Sequence, residues 1–359
     1  MTFSESPTIP EIPGKSGWPW QLPTLEEHMS GEITVPKISI ITPSYNQGHY
    51  LEETIRSIIL QNYFNYELII IDGGSTDSTL QVIKKYEPWI TYWVSEKDKG
   101  QSHAIRKGLA IATGDIINWI NSDDLLAPGA LHAIASKFDL QRYDVICGYC
   151  DYFVSNLTHL DTRNERMGLS ATVGDTILKR QINQPSTFFK TSIFRELDIN
   201  EQFHYTMDLD LWYRYLLKYG QSRVLLFDKL LTYFRLHEAS KTVALTPNFE
   251  KDIRKVIYNI FFSVNQASEL MSYLRFLVND DNFVPSLYTV NIPLNELRSL
   301  IKFYAWQAVV HYNQQATYDR AAARACLVIA RHNGMPANIG YVLQWVKHYI
   351  LPESVGIKK

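Results

Sequence analysis

Hydrophobic and polar positions along the first half of this chain alternate between two periods. Residues 37–42 (KISIIT) form a β-branched apolar run that ends at Pro43, the pattern of a strand buried on both faces. Across residues 50–61 the apolar positions Leu51, Ile55, Ile58 and Ile59 recur at helical spacing. Residues 67–71 (ELIII) predict a second buried strand, stopped by Asp72-Gly73-Gly74. Residues 78–86 predict a second helix, with Leu80, Val82 and Ile83 as its apolar positions. A third strand (90–94), a third helix (101–112) and a fourth strand (115–120, DIINWI) complete the series. Such alternation implies right-handed crossovers and a Rossmann-like, mainly parallel central sheet flanked by helices.

Ligands of such sheets bind at the carboxyl ends of the strands. Polar clusters stand at those ends: Ser44-Tyr45-Asn46, Asp72-Gly73-Gly74-Ser75 and Asn121-Ser122-Asp123-Asp124. Three polar loops on one edge predict a binding site there. Residues 144–245 mix strands and helices. Beyond Pro247 the pattern changes, and residues 249–276, 294–312, 318–332 and 339–351 read as amphipathic helices. The expected organisation is an N-terminal arm (1–36) packing through Trp18 and Trp20, an α/β domain (37–246) and a helical C-terminal region (247–359).

Composition narrows the classes of function. With 359 residues, 46% hydrophobic and 20% charged, the chain can bury a sizeable core. A formal net charge of −2 provides no basic field for nucleic acid. Three cysteines argue for a reducing compartment over a disulfide framework. Cys147 and Cys150 lie in an apparent strand, 143–154, where residues three apart point to opposite faces, so the pair reads as structural. The N-terminus lacks a basic region followed by an apolar one, and no apolar run approaches a membrane span. A cytoplasmic protein, with a peripheral membrane contact as one option, is expected. The sequon Asn156-Leu157-Thr158 then carries no glycan.

The strand-end residues allow specific chemistry. Neither G-x-G-x-x-G nor G-x-x-x-x-G-K-[ST] follows the first strand, so a divalent metal is the natural partner for phosphate. Asp123 and Asp124 suit Mg²⁺ or Mn²⁺, or equally strand-ending turn chemistry. Asp72 suits an acceptor for an imide N–H such as that of uracil, or equally a turn aspartate. Asp208 and Asp210 open a predicted helix, where they serve either as a general base for an acceptor hydroxyl or as favourable charges at the helix N-terminus. His237 follows a strand-like run, 223–234, as a structural residue or a metal ligand beside Asp123.

In order, the fragments PSYNQGHYLEETIRSIILQ, ELIIIDGGSTDST, WVSEKDKGQSHAIRKGLAIATGDIINWINSDD, MDLDLWYR and YFRLHEASKT resemble the family 2 glycosyltransferases, inverting enzymes with the fold called GT-A. The resemblance covers about residues 37–242 and is to the bacterial type, similar to glycosyltransferases of cell-surface polysaccharides and glycans. It implies a nucleoside pocket formed by Pro43, Ser44, Tyr45, Asn46, Asp72 and Gly73. Lys99, Gly100 and Gln101 then lie beside the nucleotide and donor sugar. Asn121, Ser122, Asp123 and Asp124 stand where the family carries D-x-D, with Asp123 as the metal-binding aspartate. Asp208 matches the second residue of the family's E-D pair, the general base. His237 and Ser240-Lys241-Thr242 match the segment that closes over the diphosphate. Two positions depart from the pattern: Asn121 replaces an aspartate and Met207 a glutamate.

The expectation is therefore an inverting hexosyl- or N-acetylhexosaminyltransferase, using Mn²⁺ or Mg²⁺ and a nucleoside diphosphate sugar, with UDP favoured. Its acceptor would be a hydroxyl of a glycan or lipid-linked glycan. The C-terminal helices are candidates for a peripheral membrane contact or a homodimer. A catalytically decayed protein that binds nucleotide sugar or glycan is the alternative, supported by Asn121 and Met207.

Overall fold

The computed structural model describes residues 8–22, 35–155, 157, 160–238, 246–314 and 319–349, with side chains left out at 160–164 and 246. Ser240, Lys241 and Thr242, like Asn156 and Thr158 of the sequon, lie outside the described residues. The chain divides into two compact units. Unit 1 comprises Met1–Met167, Ile182–Leu211 and Ser222–Thr246. Unit 2 comprises Gly168–Gln181, Trp212–Gln221 and Pro247–Lys359. The change of pattern at Pro247 therefore coincides with a unit boundary, but two earlier segments cluster with the C-terminal helices.

Unit 1 is built on a nine-stranded sheet. Its first half follows the expected alternation: β1 (Ile38–Ser44), α1 (Gly48–Ile59), β2 (Tyr66–Asp72), α2 (Thr79–Lys85), β3 (Tyr92–Ser95), α3 (Gln101–Ile111) and β4 (Ile116–Trp119). Then come β5 (Leu125–Leu126), α4 (Ala130–Lys137), β6 (Val145–Phe153), β7 (Leu160–Glu165), β8 (Thr187–Lys190), α6 (Thr191–Leu197) and β9 (Val224–Arg235), with α5 (Val173–Lys179) belonging to unit 2. The strand order is β3-β2-β1-β4-β8-β6-β9-β5, with β7 beside β6. The four strands β3, β2, β1 and β4 are parallel, as the alternation implies. Past β4 the sheet turns mixed: β8 runs antiparallel to both β4 and β6, β5 to β9 and β7 to β6, while β6 and β9 are parallel. The α/β, GT-A class is the observed one, with an unbroken parallel run only from β3 to β4 and, beyond β4, parallel pairing only between β6 and β9.

The hydrophobic pattern explains these elements. All seven residues of β1 are buried, and Leu51, Ile55, Ile58 and Ile59 of α1 pack over them with Leu68, Ile70 and Ile83. The helix starts two residues earlier than its apolar spacing suggests. Gly48 N donates to Asp77 Oδ2 at 2.9 Å, and a Cβ at Gly48 would lie 2.3 Å from Ser78 Oγ. Only glycine allows that approach of α1 to the start of α2. The C-x-x-C cysteines are free and buried. Burial pushes the Cys147 thiol up and the Cys150 thiol to about 12, so neither offers a thiolate.

Residues of the N-terminal arm pack on the same α1. The buried Arg56 guanidinium donates to the carbonyls of Pro19 (3.1 Å), Pro10 (2.7 Å) and Trp20 (2.9 Å) and to Tyr86 Oη (3.0 Å). Trp18 Nε1 donates to Leu126 O at 2.8 Å, so the expected role of Trp18 is seen at atomic detail. Trp20 stands 5.2 Å from the Arg56 guanidinium carbon.

Unit 2 is helical. Helix α7 (Met207–Tyr219) spans the division at Leu211 and Trp212. The C-terminal helices are α8 (Thr246–Ser263), α9 (Ser268–Val278), α10 (Arg298–Gln314), α11 (Arg320–His332) and α12 (Ile339–Tyr349). One expected long helix is thus two, broken where Asn265 takes a positive φ of 50°. Asp319 caps α11 by accepting from Ala322 N at 2.9 Å. No helix among the described residues is long and apolar enough to cross a membrane. Helix α12 exposes Ile339, Val342, Leu343, Trp345 and Tyr349.

Away from the carboxyl edge, Glu67 ties β1 and β2 to the residues before β4. It accepts from Ser39 Oγ, Thr113 N, Thr113 Oγ1 (2.8 Å) and Gly114 N (3.0 Å), and pairs with Lys37 Nζ at 2.6 Å. Burial alone would raise its pKa, but the hydrogen bonds from Lys37, Ser39 and Thr113 outweigh it and hold the carboxyl at about 2 instead of 4.5. The folded state binds this proton less readily than the unfolded one. The resulting stabilisation is complete above about pH 4.5 and is lost as pH falls toward 2. A shift of this size corresponds to roughly 3 kcal/mol. Urea titrations should show Glu67→Gln destabilised at pH 7, with a flatter pH dependence through that acid window. Equal pH slopes for the two proteins would contradict the assignment.

Candidate active site

The carboxyl ends of β1, β2, β3 and β4 carry the loops expected to bind ligand, and hydrogen bonds join these loops in series. Gly73 N donates to Ser44 O at 2.8 Å, which fixes the β2 loop to the end of β1. Asp72 is fully buried. Its Oδ2 accepts from Gly74 N (3.2 Å), Ser75 N (2.9 Å) and Ser95 Oγ (2.5 Å), while Oδ1 accepts from Ser75 Oγ. Of the two readings held for this residue, the turn aspartate is the one with geometry. Asn46, at a positive φ of 52°, accepts from Thr76 N at 2.9 Å, and its own N–H donates to Ser75 Oγ at 2.7 Å. Pro43 and Ser44 are buried at the end of β1, and Ser44 Oγ has no hydrogen-bond partner among the described residues. Tyr45 is 63% exposed.

The β3 loop continues the series. Asp98 Oδ1 accepts from Gly100 N at 2.7 Å. The same carboxylate faces Gly73, where a Cβ would meet its Oδ2 at 3.0 Å. Gly100 adopts φ +108°, a conformation that L side chains rarely take, and thereby starts α3. Lys99 is exposed, and its N–H donates to His103 Nδ1 at 3.3 Å. Ser102 Oγ donates to Phe203 O at 2.6 Å, which anchors the approach to α7 beside this loop.

Gln101 reaches the β4 loop. Its Nε2 donates to Asn121 Oδ1 at 2.6 Å, and Asn121 Nδ2 donates to Asp124 Oδ2 at 3.1 Å. Asn121 therefore bridges two side chains, and its amide explains the departure from D-x-D. An aspartate here would set one carboxylate against another. Asp124 was expected at the substrate beside Asp123. It is instead 1% exposed, with Oδ1 accepting from Arg235 N at 3.1 Å and its carbonyl accepting from Thr54 Oγ1 at 2.8 Å. Burial drives the Asp124 carboxyl well above the ordinary range and Asp123 pushes it the same way, against the Arg235 N–H, the Asn121 amide and the Arg235 charge. Ser122 is likewise buried, at 4% exposure.

Asp123 turns outward. Its side chain is 18% exposed, and Oδ2 stands 2.9 Å from His237 Nε2, whose side chain is 11% exposed. The structure thus brings together the two residues expected to hold a metal. Cis ligands at the roughly 2.1 Å bonds of a small six-coordinate cation sit about 3 Å apart, so this pair fits two such positions. The carboxylate oxygen and imidazole nitrogen suit Mn²⁺ or Mg²⁺, with further positions left for phosphate oxygens. Among the described residues no group of three or more His, Cys, Asp or Glu is arranged to hold a metal.

Helix α7 presents its two acidic residues differently. Asp210 is fully buried, whereas Asp208 is partly exposed in the first turn and accepts from Leu209 N at 2.8 Å. Met207 is buried at 5% exposure. Sequence reasoning missed Asp98, Tyr50, Glu53 and Arg235.

Comparisons with known proteins bear on the family and the fold. Residues 39–201 match the family model described as glycosyl transferase family 2. An uncharacterized glycosyltransferase of Rickettsia typhi is 30% identical over 216 residues, 58% of this chain and 66% of that protein. One from Rickettsia prowazekii is 28% identical over 223 residues, 60% of this chain and 68% of that protein. The match thus takes in about two thirds of each relative's length. The fold is similar to that of S. aureus TarS residues 1–349, solved in complex with UDP-GlcNAc, at a TM-score of 0.51 and 15% identity, over 87% of this chain and 91% of that one.

The Asn121 bridge generates a prediction. Asn121→Asp removes the donor to buried Asp124 and adds a like charge, and should lower the unfolding free energy by about 1–3 kcal/mol. Urea denaturation at neutral pH measures this. A variant as stable as the parent would show that the bridge does not hold the loop.

Proposed function

We propose that this chain, whose residues 39–201 place it in the family 2 glycosyltransferases, moves a sugar from a nucleoside diphosphate sugar to an acceptor hydroxyl with inversion at the anomeric carbon. The observation that carries this reading is the Asp123–His237 pair at 2.9 Å on the carboxyl edge of the parallel strands. The UDP-GlcNAc bound by the similarly folded TarS supports UDP as the nucleotide. Hexosyl or N-acetylhexosaminyl transfer to a glycan or lipid-linked glycan of the cell envelope fits the family likeness.

Each residue then has a task. Ser44 and Tyr45 stand at the end of β1, where the nucleoside would lie, and Asp72 keeps the β2 loop in shape beside it. Gly100 and Gln101 bring the start of α3 against the β4 loop. Asp123 and His237 would hold a divalent cation, which when bound neutralises charge on the departing diphosphate. Asp208, the more exposed of the two carboxylates in α7, accepts the proton of the acceptor hydroxyl as that oxygen attacks. Neither a Ser nor a Cys nucleophile is needed, because one inverting displacement passes through no covalent enzyme intermediate. The exposed apolar positions of α12 are the surface on which a membrane contact or a second copy would sit.

A donor screen with Mn²⁺, scoring release of free nucleotide, tests the reading. UDP-sugars should release UDP, and chelation of the metal should abolish release. Asp208→Asn should lower turnover by about 10²- to 10⁴-fold while leaving donor binding close to that of the parent. Near-normal transfer by Asp208→Asn would remove it as the base. Binding of UDP without turnover of any donor would favour the nucleotide-sugar-binding alternative.

A further inference from the structure

The side chain that the β4 loop leans on most is Arg235, at the end of β9. It is 2% exposed. Nε donates to Asp123 O at 2.9 Å, Nη1 to Ser155 O at 3.3 Å and Nη2 to Glu53 Oε2. Its own backbone N–H holds Asp124 Oδ1 at 3.1 Å. The guanidinium carbon lies over two rings, 4.6 Å from the centre of Tyr50 and 4.3 Å from that of Phe153. Tyr50 in turn packs against the His237 ring, with centroids 4.9 Å apart. One planar cation therefore touches the main chain of Asp123 on one side and, through a single ring, the imidazole of His237 on the other.

We propose that Arg235 is a positioning residue that sets Asp123 and His237 at the spacing needed to receive a diphosphate-bound divalent cation. The proposal rests on the reading that these two side chains take the metal. Planarity is what the position demands. A guanidinium directs its donors within one plane and leaves its faces free for aromatic rings, whereas the three donors of an ammonium point tetrahedrally from a single nitrogen. Glu53 fixes the guanidinium from α1, the helix that also holds the Asp124 carbonyl through Thr54. The metal-binding carboxylate and imidazole are therefore referenced to α1, and not only to the loops that carry them. Arg235 itself is set back from the reacting atoms and acts through Asp123 and Tyr50.

Calorimetry of UDP binding, with and without Mn²⁺, tests this on the full chain. The parent should bind UDP more tightly when Mn²⁺ is present. Arg235→Lys should weaken Mn²⁺-supported UDP binding about tenfold or more, while UDP binding without metal stays within about twofold of the parent. Glu53→Gln should shift the same quantity in the same direction by less. Thermal melts identify any variant that fails to fold, and Glu53→Gln then decides the question. Parent-like Mn²⁺ dependence in both folded variants would overturn the positioning role and leave the metal reading intact. Equal losses with and without Mn²⁺ would also overturn it, since they indicate only a structural role. A parent whose UDP binding ignores Mn²⁺ would defeat the metal reading and this proposal together.

Discussion

A buried carboxylate sets the form of the carboxyl edge. Asp124 lies at 1% exposure directly after Asp123, so burial disfavours its ionised form and the neighbouring carboxylate adds to that. The fold answers with donors. Arg235 N and Asn121 Nδ2 each take one oxygen of Asp124, and the Arg235 guanidinium supplies a positive charge nearby. With Asp124 held inward, Asp123 is left to face outward beside His237. The presence of asparagine at 121 follows from the same constraint. A carboxylate there would add a third acid to a pair already disfavoured by burial, so the departure from D-x-D is compatible with a working site.

The same interaction explains how distant parts of unit 1 serve one edge. Gln101 extends the Asn121 bridge to α3, and Asp98 carries it to Gly73 and the end of β1. On the other side, Thr54 and Glu53 connect the loop to α1. One turn further, Arg56 of that helix binds the carbonyls of Pro10, Pro19 and Trp20. The N-terminal arm is thus a support for α1, and α1 is a support for the loop. Unit 2 has its own helical core, and its α12 exposes apolar residues.

Much of this was legible in the sequence. The all-buried β1 and the Leu51, Ile55, Ile58 and Ile59 stripe of α1 follow from periodicity, because one helix face and two strand faces meet the core. The outward pair Asp123 and His237 followed from strand-end position and family likeness. What periodicity could not show was direction after the strand ends. Asp72, Asp123 and Asp124 are chemically alike in sequence, yet two point inward and one outward, because neighbouring N–H groups differ. Arg235 was obscured for a related reason: its partners come from residues 53, 123 and 155, which sequence spacing does not bring together. The mixed half of the sheet was missed because the regular strand–helix alternation that implies parallel crossovers ends at β4.

The central claim is that Asp123 and His237 together receive a divalent cation with the diphosphate of a nucleotide sugar. Anomalous diffraction from crystals grown with UDP and Mn²⁺ tests it most directly. The account predicts one manganese peak within bonding distance of Asp123 Oδ2 and His237 Nε2, shared with diphosphate oxygens. A UDP complex with the manganese elsewhere, or with UDP bound and this pair still hydrogen-bonded to each other, would contradict it.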